Sequence, residues 1–236
     1  FFIAMKINKK LTKLIKYYSL INHNYIFQNA PINRYRNKGN NGLTLDKSLN
    51  LLRREISLIK NCDLKKNASN LVFADGNPEA KVMIIGEGPG ASEDKEGRPF
   101  VGRAGKLLNK MLSSINLDRT SVYITNVVNY RPPENRKPTE SEIERYLPFL
   151  IKHILIIKPK IIMLLGSTAL SALIGENEVI SKARGKWHDK VFEDTRTSIM
   201  PSFHPAFLMR QPEQKKLAWI DLKMIRDKIK KLGIKN

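Results

Sequence analysis

Val82-Met83-Ile84-Ile85-Gly86-Glu87-Gly88-Pro89-Gly90-Ala91-Ser92-Glu93-Asp94 is the stretch on which the fold of this chain turns. Four consecutive apolar residues feeding a Gly-Pro-Gly turn read as a buried strand that enters a tight loop. The glycines let the backbone approach a ligand, and Glu87, Glu93 and Asp94 bring carboxylates to the same place. A second glycine-rich stretch follows at Gly97-Arg98-Pro99-Phe100-Val101-Gly102-Arg103-Ala104-Gly105. It sets an aromatic ring beside the carboxylates, as a pocket for a flat polar ligand would need. The loop is not a phosphate cradle. No Lys-Ser or Lys-Thr pair opens the next helix, and Ala91 and Ser92 break the dinucleotide fingerprint. Glu87 and Glu93 would repel a phosphate.

Working outward, three more apolar runs read as strands, at 121–125, 160–165 and 197–200, beside the first at 81–85. Amphipathic helices are expected at 44–56, 103–115, 140–157, 167–174 and 212–231. Strands alternating with helices predict an α/β fold, a three-layer α/β/α sandwich around a four-stranded parallel sheet. In such folds ligands bind at the carboxyl ends of the strands. That rule brings Glu87, Asn126 and His204 to one rim, although they lie far apart in sequence.

The chain has 236 residues, with 42 Lys and Arg against 22 Asp and Glu, a net charge of +20. A balance this basic favours a polyanionic partner, nucleic acid first and an anionic membrane surface second. Part of the charge reflects a general richness in Lys, Asn and Ile. One cysteine, Cys62, excludes an internal disulfide and any all-cysteine metal site, and it suits a reducing compartment. No apolar run is long enough to span a membrane, and the basic N-terminus lacks a clean signal-peptide core. Residues 1–45 contain no acid and are expected to form a basic, flexible extension to a domain over 46–236.

These motifs resemble the uracil-DNA glycosylases, most closely the family 4 branch, from about Leu49 to Leu232. The two loops above carry the resemblance. So do Tyr123-Ile124-Thr125-Asn126-Val127-Val128, Arg131-Pro132-Pro133-Glu134-Asn135-Arg136-Lys137-Pro138, and His204-Pro205-Ala206 with Arg210-Gln211-Pro212. The resemblance implies hydrolysis of the N-glycosidic bond of deoxyuridine in DNA, by a cytoplasmic monomer that binds no membrane. Its alternatives are a glycosylase of broader deaminated-base scope and a DNA-binding relative without catalysis.

By matching position, Glu87, Glu93 and His204 are the implied catalytic residues, and Gly88, Phe100 and Asn126 bind the base. Phe100 would stack on the flipped uracil, Asn126 would read its edge, and His204 would face O2, as a neutral donor or as a cation. Arg103, Arg131, Phe207, Leu208 and Arg210 are implied DNA contacts. Phe207 and Leu208 resemble a wedge that fills the gap left by the base, or else they pack under the last helix. Gly88 stands where the best-known branch has an Asp, so the group that orients water is open between Glu87 and Glu93. The resembled family usually holds a [4Fe–4S] cluster on four cysteines. Here those positions read Ile59, Cys62, Tyr130 and Tyr146, so no cofactor is expected.

Overall fold

The computed structural model of the chain describes residues 44–234. The expected basic extension lies, but for its last two residues, outside the described residues. The sheet is built on β2 (Val82–Gly86), β3 (Tyr123–Asn126), β4 (Ile161–Leu165) and β6 (Thr195–Ser202). Every residue of β2, β3 and β4 is buried, as unbroken apolar runs require when helices cover both faces. Neighbouring strands among these four pair in parallel, with Ile84 beside Ile124 and Met163, and Met163 beside Met200.

The expected sheet of four parallel strands accounts only for the middle of what forms. The sheet is mixed and has six strands in the order β1-β3-β2-β4-β6-β5. At one edge β1 (Asp75–Gly76) runs antiparallel to β3, and at the other β5 (His188–Phe192) runs antiparallel to β6. Neither edge strand carries an apolar run. The middle of β5, Asp189-Lys190-Val191, is exposed, and β1 has only two residues. Edge strands need little apolar surface, so hydrophobic periodicity does not reveal them.

On one face Val82, Ile84, Ile124, Met163 and Met200 pack in a single core. The helices there are α4 (Arg103–Ser113), α8 (Pro205–Arg210) and α9 (Lys215–Lys231). The alternate residues Met83, Ile85, Ile162, Leu164 and Ile199 are equally buried and point the other way, since strand side chains alternate. On that side α6 (Ser167–Leu173) lies on β2 and β4, and α5 (Glu140–Ile157) packs on α6 and on α1 (Leu45–Ser57). Helix α1 buries Leu49, Leu52 and Ile56, an i, i+3, i+7 stripe. Helix α5 starts where Thr139 and Glu142 form a capping box, and it stops at Lys158, whose φ of 51° is left-handed. Short helices α2 (Asp63–Asn67), α3 (Ala91–Glu96) and α7 (Ile180–Ala183) complete the domain.

Candidate active site

The strand register builds the site. Gly86 pairs with Asn126, so β2 and β3 release Glu87 and Asn126 side by side. The ladder continues one step past the strands, with Val127 N–H donating to Gly86 O at 2.9 Å. Leu165 pairs with Ser202, which brings the His204 segment in from the other side. Ser202 Oγ donates to the buried carboxylate of Asp221 at 2.7 Å, and Arg184 pairs with that carboxylate from α7's end. Burial pushes the Asp221 carboxyl up, and the Arg184 and Ser202 hydrogen bonds oppose that push. The strand end that carries His204 is thereby pinned to α9.

Glu87, Gly88, Glu93, Phe100, Asn126 and His204 all line one cavity of about 220 Å³. That is smaller than the ~300–1,000 Å³ of drug-sized pockets, so it suits a small ligand. Asn126 is 3% exposed, and its Oδ1 has no hydrogen-bond partner among the described residues. A buried, unpaired amide oxygen is costly, by roughly 1–3 kcal/mol, unless a ligand satisfies it. Gly86 packs against both the Asn126 amide and the Phe100 ring. A Cβ there would sit 2.4 Å from Asn126 Oδ1 and 2.5 Å from Phe100 Cζ. Only glycine leaves the space between amide and ring open.

The Phe100 ring is buried and lies 5.6 Å from the His204 ring, tilted by 32°. His204 caps α8, its Nδ1 accepting from Ala206 N–H at 3.2 Å. With Nδ1 an acceptor, the neutral ring carries its proton on Nε2. Burial, and then the positive charge of Arg210, pull the His204 pKa down to about 4, while Glu93 pulls it upward. That shift favours the uncharged imidazole at neutral pH.

The two carboxylates differ. Glu93 Oε1 accepts from Val101 N–H at 2.9 Å and Gly102 N–H at 2.8 Å, and Oε2 accepts from Gly90 N–H at 3.2 Å. It ties the first glycine-rich loop to the second. Glu87 accepts from the hydroxyl of Thr168, a buried residue in the first turn of α6. Thr168 is a site neighbour that motif reading passes over, although it stands at the predicted end of β4. Also unassigned by sequence are Asn135 and Arg136, which line the cavity from the Pro132–Pro138 loop. Their signal is the motif itself, and Arg136 is held there by Glu142 at 2.7 Å.

Among the implied DNA contacts, Arg103 and Arg210 are exposed, and Arg131 is partly buried with its Nε on Asn135 Oδ1 at 2.8 Å. The apolar pair divides differently from a projecting wedge. Leu208 is 1% exposed inside the core that includes α4 and α9, so it is packing. Phe207 is partly buried, with its ring 4.9 Å from that of Phe203.

The positions implied for a cluster do not fit one. Cys62 Sγ and the Tyr146 hydroxyl are hydrogen-bonded at 3.2 Å, and both residues are buried, as is Tyr130. Burial raises the pKa of both tyrosines, so their phenols stay neutral, and the nearby Cys62 adds to that rise. Neutral phenols are poor substitutes for soft thiolates. Among the described residues, no group of three or more His, Cys, Asp or Glu side chains is placed to hold a metal.

The strand ends of this helix-covered sheet open on one small pocket that joins a buried amide, an aromatic ring, a histidine and two carboxylates, and sequence similarity places the chain in a family. The model of the uracil DNA glycosylase superfamily matches residues 73–223. The chain is 43% identical over 185 residues to a type-4 uracil-DNA glycosylase of Sulfurisphaera tokodaii, covering 76% of this chain and 84% of that protein. It is 42% identical over 175 residues to one of Thermotoga maritima, covering 73% and 90%. With one of Archaeoglobus fulgidus it shares 38% over 182 residues, covering 75% and 92%. This chain belongs to the uracil DNA glycosylase superfamily.

Proposed function

We propose that the chain is a monofunctional uracil-DNA glycosylase. It hydrolyses the N-glycosidic bond of deoxyuridine, releases uracil and leaves an abasic site, the first step of base excision repair. The observation that carries this reading is the buried, unpartnered Oδ1 of Asn126 beside the Phe100 ring. Uracil offers N3–H to that oxygen and O4 to the amide N–H, while the flat face of the base covers the ring. Cytosine presents an acceptor at N3 and would leave the amide oxygen opposed.

The base must leave the duplex to reach this pocket, which costs a few kcal/mol. Stacking on Phe100 offsets ~1–3 kcal/mol of that cost. As the bond breaks, negative charge builds on uracil O2 and positive charge on the sugar. His204 Nε2–H is a fixed neutral donor for O2, strongest when the charge develops. Glu87, held by Thr168, is the better placed of the two carboxylates to orient the attacking water, since backbone donors engage both Glu93 oxygens. Glu93 then acts by fixing the loops. Among the described residues lining the cavity there is no lysine to form a Schiff base, so the strand is left uncut.

Arg103, Arg131, Arg136 and Arg210 are assigned to the phosphates around the flipped nucleotide, where each contact steepens the salt dependence of binding. The reading includes action as a monomer. A single cysteine suits the cytoplasm. The reading includes no iron–sulfur cluster, because the chain supplies one thiolate where four are needed. The test is base release from uracil-containing oligonucleotides followed by alkali. Borohydride trapping of a protein–DNA adduct would overturn the monofunctional assignment.

A further inference from the structure

Phe100 has a φ of 55°, in the left-handed region that residues with large side chains avoid. Such a conformation persists only where the surroundings enforce it, and it clusters where geometry serves function. The enforcement here comes from both sides. Ahead of the ring, one guanidinium holds two successive carbonyls. Arg119 Nη2 donates to Pro99 O at 2.7 Å, and Nη1 donates to Phe100 O at 3.1 Å. Behind it, Glu93 holds the Val101 and Gly102 amides. Helix α4 passes so close that a Cβ on Gly105 would lie 1.7 Å from Phe100 O.

Arg119 is itself fixed. Its Nε and Nη2 both reach Asp75 Oδ2, at 2.7 and 2.5 Å, and Nη1 also meets Asn109 Oδ1 at 3.2 Å. Its turn is tied by Asp118 Oδ1, which accepts from Thr120 N–H at 2.8 Å and Ser121 N–H at 3.1 Å. Asp75 sits on β1, the two-residue strand paired to β3. A continuous chain of contacts thus runs from the sheet edge through Asp75 and Arg119 to the peptide groups of Phe100.

Resting on the uracil reading above, we propose that Arg119, oriented by Asp75, is the positioning residue that sets Phe100 as the stacking platform. It touches no base. Its planar fork reaches two carbonyls and a carboxylate in fixed directions, a geometry that the compact, three-donor ammonium of lysine does not reproduce.

The experiment compares wild type with Arg119→Gln, Arg119→Lys, Phe100→Ala and the Arg119→Gln/Phe100→Ala double variant. The readouts are single-turnover excision, inhibition by free uracil, and amide exchange. Both Arg119 variants should excise ~10- to 100-fold more slowly, as misplaced groups do. Free uracil should inhibit each more weakly by a similar factor. The double variant should be no slower than Phe100→Ala alone, because coupled residues are not additive. Val101 and Gly102 amides should exchange at least ~10-fold faster while Ile84 and Ile124 amides do not change. Additive losses, or full activity in Arg119→Lys, would overturn the proposal. Should wild type release no uracil, the functional reading fails, and the exchange data alone decide: unaltered Val101 and Gly102 protection would overturn the clamp.

Discussion

The pocket at the strand ends and the layer beneath α5 hold similar residues under similar burial, yet they are finished in different ways. Beneath α5, Tyr146 meets Cys62 at 3.2 Å and Tyr123 meets His153 Nδ1 at 3.0 Å. Both tyrosine hydroxyls there meet a neighbouring side chain. In the pocket, Asn126 Oδ1 has no partner and His204 Nε2 carries a proton beside a cavity. An orphaned atom is informative only where space adjoins it. His153 Nε2 is also unpartnered among the described residues, but its ring lies against those of Phe73 and Tyr123 and does not line the cavity. The two histidines share a burial-lowered pKa, about 3 for His153 and about 4 for His204. What separates a working group from a filler here is the neighbouring space, not the residue type.

Substitutions in the pocket should therefore cost activity, and substitutions beneath α5 should cost stability. The largest effect is expected for Asn126→Asp, which removes the amide donor and sets a carboxylate against the departing anion. Its single-turnover rate should fall by more than the ~10²–10³-fold typical of one lost donor. His204→Ala should lose ~10²–10³-fold, since it removes that donor without adding charge. Gly86→Ala should lose ~10²-fold by forcing the amide and the Phe100 ring apart, with little change in folding cooperativity. Rates within threefold of wild type for these variants would remove the pocket from the chemistry.

Acid should act on both regions. The folded-state pKa values of His153 and His204, about 3 and about 4, lie below the ~6.5 of an unfolded histidine. The unfolded chain thus binds more protons below pH ~6.5, and stability falls as pH drops through that window toward 4. Excision should stay level from pH 8 to about 5.5 on His204's account and decline only as pH nears 4. A rate that drops with a midpoint near 6.5 would mean a solvated His204. The smallest effect belongs to Tyr146→Phe. Losing one buried hydrogen bond should cost ~0.5–1.5 kcal/mol in denaturant midpoint and leave excision unchanged. Protein prepared without oxygen should carry no stoichiometric iron, whereas about four atoms per chain would overturn the cluster-free reading.

Much of this contrast is legible in the sequence. The buried runs Val82–Ile85 and Ile161–Leu165 announce central strands, and the ends of β2, β3 and β6 bring Glu87, Asn126 and His204 together. What escapes reading is whatever depends on partners far apart in sequence. Arg119 looks like any surface arginine until Asp75, 44 residues away, fixes it. The three backbone amides that donate to Glu93 come from two loops, and no motif shows that they converge on it. The lowered pKa of His204 follows first from burial, and its tautomer from a helix cap, neither of which a motif encodes. Leu208 stays open between wedge and packing in the sequence because motifs report order along the chain, and only the fold reports which way a side chain turns.

The most direct test of the central claim is base excision by the purified chain on matched oligonucleotides that carry uracil or cytosine at one position. The account predicts uracil release and a strand break that appears only after alkali, at the uracil position and not at the cytosine. Absence of any uracil release, or equal breakage at cytosine, would contradict it.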